Sequence, residues 1–442
     1  MTPLPPGWKK LALKRIALPG GFVDGDWVES PYITDEGIRL LQTGNIGIGK
    51  FKEQGFRYIS ERSFHLLRCT LVQPGEVLVC RLADPVGRAC LAPDLGVKMV
   101  TSVDVAILRP RPSHDPRFIV YALSSAAYLG YLQSICRGGT RDRVSRSMLG
   151  DVQVAVPSTQ AQRAIADFLD RKTAAVDALI DKKKRLIELN DERQRTVIRQ
   201  VITKGIDSKA PMKESGCPSL GRIPVHWTST RLKYIKARTP NALVDGPFGS
   251  NLKGVHFIDN GNVFVVESGF ATTELLDEAR LKTISAEHFA TILRSETQGG
   301  DIIIAKIGAQ FGLSAILPRL TKPAVVSGNS MKLTVDASRV VTAYLHFQLL
   351  CLKWAGAMDQ VVNVTAQPAL SLGGVAEVRC AVPPKLEQLQ ILQFLKVATE
   401  KFDGMKRKLA AQLELLREYR QGLITDAVTG QLDVAAQPRE AA

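Results

Sequence analysis

The sequence predicts an α+β protein in which a globular domain followed by a long helix occurs twice. Three observations support this class. The chain has 442 residues, more than one ordinary hydrophobic core holds. Two segments of nearly fifty residues, starting at Pro157 and Pro383, align without a gap at an offset of 226 residues. The residues before each segment contain short β-like runs separated by Gly, Pro and Asn, together with short helical patterns.

The repeat predicts the order of the domains. We expect a first globular domain at 1–156, a central long helix at 157–205, a second globular domain at 206–382, and a second long helix at 383–430. Gly, Pro, Ser and Asp are frequent at the start of the second domain, which predicts a linker at 206–220. The last residues, 431–442, are predicted to fray.

The two globular domains correspond loosely in sequence. A segment ending in Trp8 has a counterpart ending in Trp227, and each is followed shortly by Leu-Lys, at 13–14 and 232–233. The predicted strands at 76–80 and 301–305 correspond, with Gly87 and Gly312 at the same distance behind them. Runs at 118–123 and 343–347 are typical of short helices.

Both long helices carry end signals. Thr159 and Gln162 predict a capping box at the start of the first helix, and Pro384 suits the first turn of the second. Gly205 and Gly430 lie where left-handed C-terminal caps are expected.

Apolar residues recur every seven positions in the second helix and form a wider stripe in the first, which predicts a coiled coil. Two such long helices hide their stripes most simply by packing on each other, and we expect them to be antiparallel. The predicted seam consists of Leu169, Val176, Ile180 and Ile187 in the first helix and Leu395, Phe402, Leu409, Leu416 and Leu423 in the second.

Composition limits the classes of function. The net charge of +15 favours a polyanionic partner, although basic residues also serve solubility alone. The seven cysteines form no CxxC pair, which is typical of reduced thiols in the cytoplasm. No run of 18 apolar residues occurs, and we therefore expect a soluble cytoplasmic protein.

Several patterns are only superficially catalytic. Residues 44–51 fit GxxxxGK, but Phe51 stands where a Ser or Thr must bind magnesium, so a turn or hairpin is expected. Residues 300–306 lack the second acidic residue of a metal-nuclease strand. The six histidines show no paired metal-ligand spacing, and neither a base-flipping tetrad nor an S-adenosylmethionine loop is evident. The sequence therefore predicts no metal site and no catalytic residues.

The combination of motifs resembles the specificity subunit of Type I restriction-modification enzymes. It comprises a Gly-Trp or His-Trp entry, a Gly-Asp/Glu-aliphatic strand, and a helix that opens P-x(3-4)-Q-x-x-I and closes T-K-G. Residues 245–253, DGPFGSNLK, are similar to a motif that recurs in the target-recognition domains of this family. The second helix departs from the pattern, because it ends Thr429-Gly430 without the lysine. The resemblance covers nearly the whole chain.

The resemblance implies a non-catalytic, DNA-binding subunit of a multisubunit endonuclease and methyltransferase. Each of its two target-recognition domains would read one half of an asymmetric bipartite site in double-stranded DNA, with the helices as spacer. Two methyltransferase subunits would dock on the helices, and motor-nuclease subunits would join the full complex. This chain would bind no cofactor, and S-adenosylmethionine, ATP and magnesium would belong to the partner subunits.

Side chains that can reach base edges or phosphates lie in predicted loops of both domains. Arginine suits guanine, Asn and Gln suit adenine, and lysine suits phosphate. The densest cluster is the arginine loop at 137–146, and its counterpart at 362–367 is polar and uncharged. The candidate DNA contacts are Lys50, Lys52, Arg137, Arg141, Arg143, Arg146, Lys253, Lys306, Gln310, Asn329, Asn363 and Gln367.

Alternatives remain open at this stage. For each candidate, a solvated surface group is the competing interpretation. The basic clusters at 182–185 and 193–195 could meet DNA or an acidic partner, or could simply flank a coiled coil. A coiled-coil scaffold that joins two protein-binding domains, and never binds DNA, is the alternative from a different functional class. A self-sufficient methyltransferase or nuclease would need catalytic groups that the sequence does not offer.

Overall fold

The computed structural model describes residues 4–136, 142–363, 368–434 and 436. The chain divides into two compact units, Met1–Arg185 with Leu409–Ala442 and Leu186–Lys408. Each unit combines small β-sheets, short helices and a part of both long helices. The predicted α+β class is confirmed.

The first unit contains, among its described residues, two four-stranded sheets. The first sheet is antiparallel, and its order is Ala17–Asp24, Val105–Pro110, Val77–Cys80 and Ala89–Leu91. The second sheet contains one parallel pair, and its order is Ile33–Thr34, Tyr58–Ile59, Ile38–Leu41 and Met99–Thr101. A separate antiparallel pair, Lys9–Ala12 with Gln153–Val156, leads directly into the first long helix.

Within the part of the chain that is described, the second unit repeats the antiparallel sheet and three strands of the mixed sheet, whose fourth strand lies at the opposite edge. Its antiparallel sheet has the order Leu243–Asp245, Ser330–Leu333, Ile302–Ala305 and Ser314–Ile316. Its mixed sheet has the order Lys282–Ile284, Val263–Val266, Ala324–Val326 and Glu296–Thr297. The pair that leads into the second long helix is Thr228–Arg231 with Arg379–Val382. Two smaller pairs are Met212–Glu214 with Arg222–Pro224 and Val362–Asn363 with Ala369–Leu370.

Short helices cover the sheets. Aspartate or serine caps begin several of them, as at Ser60, Asp115 and Ser125, because a side-chain oxygen accepts an unpaired backbone N–H of the first turn. The predicted helices at 118–123 and 343–347 are confirmed as Pro116–Ala122 and Thr342–Trp354. The other α-helices of the described chain, besides the two long ones, are Leu13–Ile16, Glu61–Leu67, Ala126–Ile135, Arg146–Asp151, Ser268–Thr273, Ala286–Thr291 and Leu372–Glu377. Short 3-10 turns lie at Ser30–Tyr32, Thr43–Asn45, Leu232–Tyr234, Gly249–Asn251, Gly254–His256, Glu278–Arg280, Leu293–Ser295 and Met358–Val361.

The two long helices run over Thr159–Lys204 and Lys385–Thr429, 46 and 45 residues. Within the first unit they pair antiparallel. Arg420 Nε and Nη2 donate to the two carboxylate oxygens of Asp177 at 2.8 and 3.1 Å. Six residues further along the first helix, Lys183 donates to Gln412 at 2.8 Å. Residue numbers therefore decrease along the second helix as they increase along the first.

The same direction of pairing occurs within the second unit. Lys406 Nζ lies 2.9 Å from the Asp191 carboxylate, and Gln194 donates to Asp403 at 3.2 Å. Asn190, which interrupts the apolar stripe, donates from Nδ2 to the Phe402 carbonyl at 3.1 Å. The polar residue that breaks the pattern is therefore satisfied by the partner helix.

The seam is apolar but only partly buried. In the first unit Val176, Ile180 and Leu409 are buried, with Leu413 and Ile424 as further buried residues that the heptad pattern did not predict. Leu169 and Leu395 are fully buried in the cores of their globular parts. The remaining predicted seam residues, Ile187, Phe402, Leu416 and Leu423, are half-buried.

The helix ends correct two expectations. The predicted capping box does not form: the Ser158 hydroxyl accepts the Ala161 N–H, while Thr159 donates to the Ser113 carbonyl. Pro384 precedes the second helix and is not part of its first turn. Both helices were expected to end at left-handed glycines, which is confirmed by φ of +76° at Gly205 and +75° at Gly430.

The tryptophans of the entry motifs pack at these glycines. A Cβ at Gly205 would lie 3.3 Å from the Trp227 ring, and one at Gly430 would lie 3.2 Å from the Trp8 ring. Trp227 also donates from Nε1 to Glu387 at 3.0 Å. Within each unit, the entry tryptophan thus closes the end of one long helix.

Among the described helices, no single one is both long and apolar enough to cross a membrane; one bent pair, Pro116–Ala122 with Ala126–Ile135, passes on length and composition together.

All seven cysteines are free thiols. Burial raises the pKa of the Cys90, Cys351 and Cys380 thiols to about 12 and that of Cys69 to about 11. These thiols stay protonated near neutral pH and are poor nucleophiles.

Candidate nucleic-acid interface

Several predicted contacts lie where the structure gives no description. Arg137, Arg141 and Gln367 fall outside the described residues. Asn363 ends the strand Val362–Asn363, and only its backbone position is described. The arginine loop and its polar counterpart therefore stay predictions in their central parts.

Lys50 and Lys52 lie on a tight hairpin of the first unit. Ile46 pairs with Phe51, and the Gly47 N–H donates to the Lys50 carbonyl at 2.9 Å, so the turn expected at 44–51 is confirmed. Both lysines are exposed. The hairpin thus displays two ammonium groups at the surface.

Buried polar side chains hold this hairpin in place. Asn45 donates from Nδ2 to the carbonyls of Lys52 and Gln54 at 2.9 and 2.8 Å. Arg88 donates to the carbonyls of Ile46 and Thr43 at 2.7 and 2.9 Å. Sequence reasoning missed both anchors, because an Asn and an Arg in loops resemble surface residues until their burial is known.

Arg143 and Arg146 remain at the surface of the first unit in a network of charges. Arg143 Nη2 lies 2.7 Å from Asp104, and Arg146 Nε lies 3.4 Å from Asp24. Their side chains are 49% and 45% exposed, so both guanidinium groups keep donors free for solvent or a ligand. Arg81, which is buried, reaches the same Asp24 carboxylate at 3.2 Å.

Lys306 is not the surface group that we expected. Its ammonium lies 2.7 Å from the Asp245 carboxylate, and both side chains are less than a tenth exposed. Arg294, on the surface, approaches the other Asp245 oxygen at 3.3 Å. A buried charge requires a partner, so in this conformation Lys306 serves the stability of the domain and is not available to a phosphate.

The ion pairs of the two units are equivalent. Asp24 pairs in register with Ala106, and Asp245 pairs in register with Met331. The two aspartates therefore occupy the same position in the repeated sheet. Arg81 and Lys306 each come directly after the central strands Val77–Cys80 and Ile302–Ala305. The repeat of Asp-Gly at 24–25 and 245–246 was a signal that the sequence analysis missed.

Three further predicted contacts lie at the surface of the second unit. Gln310 and Asn329 lie in exposed turns, and the Asn329 carbonyl accepts the Lys306 N–H at 2.9 Å. Lys253 is exposed, and its backbone N–H donates to His256 Nδ1 at 3.0 Å. These positions leave all three side chains open to a ligand.

The repeated glutamines have a structural function. Gln162 and Gln388 are fully buried at the start of the long helices. Each donates to the carbonyl of the proline five residues before it at 2.9 Å. Each also accepts a backbone N–H that precedes a helix of the globular part, from Asp115 at 2.9 Å and from Val341 at 2.7 Å. The P-x(3-4)-Q motif therefore locks each long helix to its globular part.

Within the described chain no group of three His, Cys, Asp or Glu residues is arranged to hold a metal ion. The polar features found there are ion pairs, amide hydrogen bonds and exposed basic groups on a duplicated scaffold. This combination defines the class of protein as a duplicated α+β scaffold with two long helices.

Comparisons with known proteins agree on one family. Residues 45–189 match the profile of the Type I restriction modification DNA specificity domain. The Type I restriction enzyme StySPI specificity subunit of Salmonella potsdam is 18% identical over 420 residues, which cover 91% of this chain and 84% of that protein. Residues 45–189 therefore carry a Type I restriction modification DNA specificity domain, and the chain resembles a Type I specificity subunit over most of its length.

A solved structure shares the fold. It comes from work on the structural basis of complex assembly and conformational transition of the type I R-M system. The match has a TM-score of 0.72 and 16% identity, and it covers 98% of this chain and all of that one. The HsdS subunit from Thermoanaerobacter tengcongensis matches over 97% of this chain and 98% of its own length, at 16% identity with a TM-score of 0.49.

Proposed function

We propose that this chain supplies the DNA sequence specificity of a Type I restriction-modification complex by reading a bipartite target, one half per globular domain. The observation that carries the proposal is the duplication of the antiparallel sheet, with an ion pair at the equivalent position and different surface side chains in each copy. Equal scaffolds with different surfaces fit two different half-sites, and hence an asymmetric target.

The exposed side chains are suited to this reading. The first unit displays Lys50, Lys52, Arg143 and Arg146, groups that bind phosphates or guanine. The second displays amide side chains, at Gln310 and Asn329, that suit adenine. Catalysis is assigned to partner subunits, with S-adenosylmethionine, ATP and magnesium bound there.

The long helices are proposed to dock two methyltransferase subunits. They keep large apolar side chains exposed to solvent, and exposed apolar surface on helices is typical of interaction surfaces. Motor-nuclease subunits would join this assembly. The exposed apolar residues of the helices include Leu179, Leu186, Leu189, Phe394, Val397, Met405, Leu415 and Tyr419.

The test is the salt dependence of binding to duplex DNA by the full chain. Removing one phosphate-binding cation reduces the steepness of log K against log salt by about 0.9. We expect the Lys50→Ala/Lys52→Ala variant to reduce it by up to about 1.8, because both lysines would bind phosphates. The matched control is Lys9→Ala/Lys10→Ala. This variant also removes two exposed lysines, but they lie on the strand Lys9–Ala12 and are not predicted DNA contacts.

The alternative function, a scaffold that joins protein-binding domains without DNA, predicts a different result. Binding to duplex DNA would then be absent or insensitive to salt, while capture of partner subunits would persist. That outcome would contradict DNA recognition by this chain.

A further inference from the structure

Each unit exposes one large aromatic side chain three residues beyond the aspartate of its ion pair. Trp27 is 68% exposed and Phe248 is 65% exposed. A single exposed aromatic residue is ordinary on a protein surface. Its recurrence at the same place in both copies of a duplicated fold requires a reason.

The two positions are equivalent by geometry. Trp27 and Phe248 each lie three residues beyond the aspartate of the ion pair, Asp24 or Asp245. The glycine after each aspartate donates its N–H to the equivalent strand carbonyl, Gly25 to Val105 at 2.9 Å and Gly246 to Ser330 at 3.1 Å.

The turn that carries each ring is fixed by close packing. A Cβ at Gly25 would collide with the Ser102 carbonyl, and one at Gly246 with the Ser327 carbonyl. Ser102 and Ser327 occupy equivalent turns of the two units. The chain therefore crosses a neighbouring turn at a distance that only glycine permits, and each ring is held on a rigid support.

Different contacts orient the two rings. The Trp27 indole donates from Nε1 to the Glu29 carboxylate at 3.1 Å. The Lys306 ammonium lies 4.4 Å from the centroid of the Phe248 ring, in a cation–π contact that the pairing of Lys306 with Asp245 keeps in place. Lys306 thus has a positioning function even though it is buried.

In each unit, two cations face the aspartate that begins the turn. Two cations, Arg81 and Arg146, face Asp24 in the first unit, and two, Lys306 and Arg294, face Asp245 in the second. At Phe248 two cations face one carboxylate, whereas at Trp27 the carboxylates of Asp24 and Glu29 offset the two arginines. An exposed ring on a glycine turn that follows an ion pair with surface arginine suits a nucleic acid, which offers apolar base surfaces beside phosphates.

We infer that Trp27 and Phe248 are equivalent DNA-contacting residues, one in each domain, whose rings make apolar contact with a base of the target duplex. This inference rests on the proposed DNA recognition and deepens it. It assigns a specificity contact to the exposed ring of each Asp-Gly turn.

The test uses the fluorescence and the DNA affinity of the full chain. The probe is a duplex selected by the wild-type chain from a pool with a random central sequence. The chain has four tryptophans, and Trp27 is by far the most exposed, since Trp227 is buried and Trp8 and Trp354 are half-buried. We expect the duplex to quench wild-type fluorescence. Trp27→Phe should abolish most of this quenching and keep its affinity within about threefold, because a ring is retained.

Alanine variants measure the contact itself. Trp27→Ala and Phe248→Ala should each weaken binding of the selected duplex about tenfold or more, because an apolar contact with a base is removed. Phe248→Tyr should bind nearly as well as the wild type. The matched controls are Tyr131→Ala and Tyr234→Ala, which remove exposed rings, 52% and 55% exposed, elsewhere in the same units.

Three results would overturn the inference. The first is unchanged affinity in both alanine variants, with partner subunits still co-purified. The second is unchanged affinity with loss of co-purified partner subunits, which would make the rings a protein-docking site. The third is absence of salt-sensitive duplex binding by the wild-type chain, which refutes the proposed function as well and is recognised without any variant.

Discussion

At the scale of single residues, buried polar groups define this protein as much as its apolar core does. Asp245, Lys306, Gln162 and Gln388 are all buried and all hydrogen-bonded within their units. Removing one partner leaves the other unpaired in a medium that solvates it poorly, so such sites are costly to alter. This is why residues chosen from the sequence as surface contacts can turn out to be structural.

The first prediction concerns the buried ion pair. Lys306→Met should destabilise the second unit by about 3–5 kcal/mol, because the Asp245 carboxylate loses its buried partner. Lys306→Arg should restore most of the stability, since arginine stands at the equivalent position 81. Urea unfolding measures both, with the exposed Lys253→Met as control. Equal stability of the Lys306→Met and Lys253→Met variants would refute the burial of the pair.

The second prediction is a dependence of stability on pH through His346. Burial lowers the pKa of His346 to about 4, and its ring Nε2 lies 3.1 Å from the Ser314 carbonyl. Because the unfolded chain binds the proton more readily, stability is highest above the ordinary histidine pKa of about 6.5 and falls as pH drops toward 4.

Protonation of His346 lowers the free energy of unfolding by at most about 3 kcal/mol. His346→Gln, which keeps a hydrogen-bond donor, should flatten the fall of unfolding free energy between pH 6.5 and 4, measured by urea unfolding at each pH. A profile as steep as that of the wild type would assign the acid sensitivity to other groups.

Sequence reasoning found some residues of the candidate interface and not others. The glutamines were found because they recur as identities, and the structure explains the recurrence by their shared hydrogen bonds. Lys306 was placed wrongly at the surface, because a lysine after a strand does not reveal the carboxylate opposite it. Trp27 was missed because the signal was an Asp-Gly pair recurring amid otherwise different residues.

At the scale of elements, the long helices were the most predictable features. Their heptad spacing, their terminal glycines and their gapless repeat all depend on local sequence, which fixes helices well. The seam was predicted less well: Leu413 is buried although it lies outside the chosen seven-residue series, and Ile187 is only half-buried. Which face is covered depends on the partner helix, and one helix alone does not define it.

The third prediction tests the antiparallel pairing. Arg420 is 20% exposed and binds both oxygens of Asp177. Asp177→Arg should destabilise the first unit by about 1–3 kcal/mol, because two cations then face each other. The double variant Asp177→Arg/Arg420→Asp should recover most of that loss in thermal unfolding. If the loss of stability in the double variant equals the sum of the losses in Asp177→Arg and Arg420→Asp, the two side chains do not interact.

At the scale of the whole molecule, duplication is the organising feature. The repeat of sheets, glycines and helix anchors could be predicted in outline from the sequence. The small mixed sheets could not, because strands of two to four residues leave little periodicity and their pairing depends on distant partners. Residues 212–214 were expected to be part of a linker, but Met212–Glu214 forms a strand. It was missed because it is short and depends on pairing with Arg222–Pro224.

The fourth prediction concerns the proposed spacer. Insertion of two heptads into each long helix, after Arg185 and after Lys408, lengthens each by about 20 Å. If the helices set the distance between half-sites, the non-specific spacer of the target should become longer by several base pairs. Both half-site sequences should stay the same in a selection from random duplexes. An unchanged spacer in a folded variant would contradict the ruler.

The most direct test of the central proposal is a map of methylated sites in the source genome, with the gene intact, deleted, and restored with the Trp27→Ala/Phe248→Ala chain. Recognition of a split target predicts one bipartite methylated sequence that disappears on deletion and is reduced or relaxed in the double variant. The same methylated sequence in the presence and absence of the gene would contradict the proposal that this chain supplies the specificity.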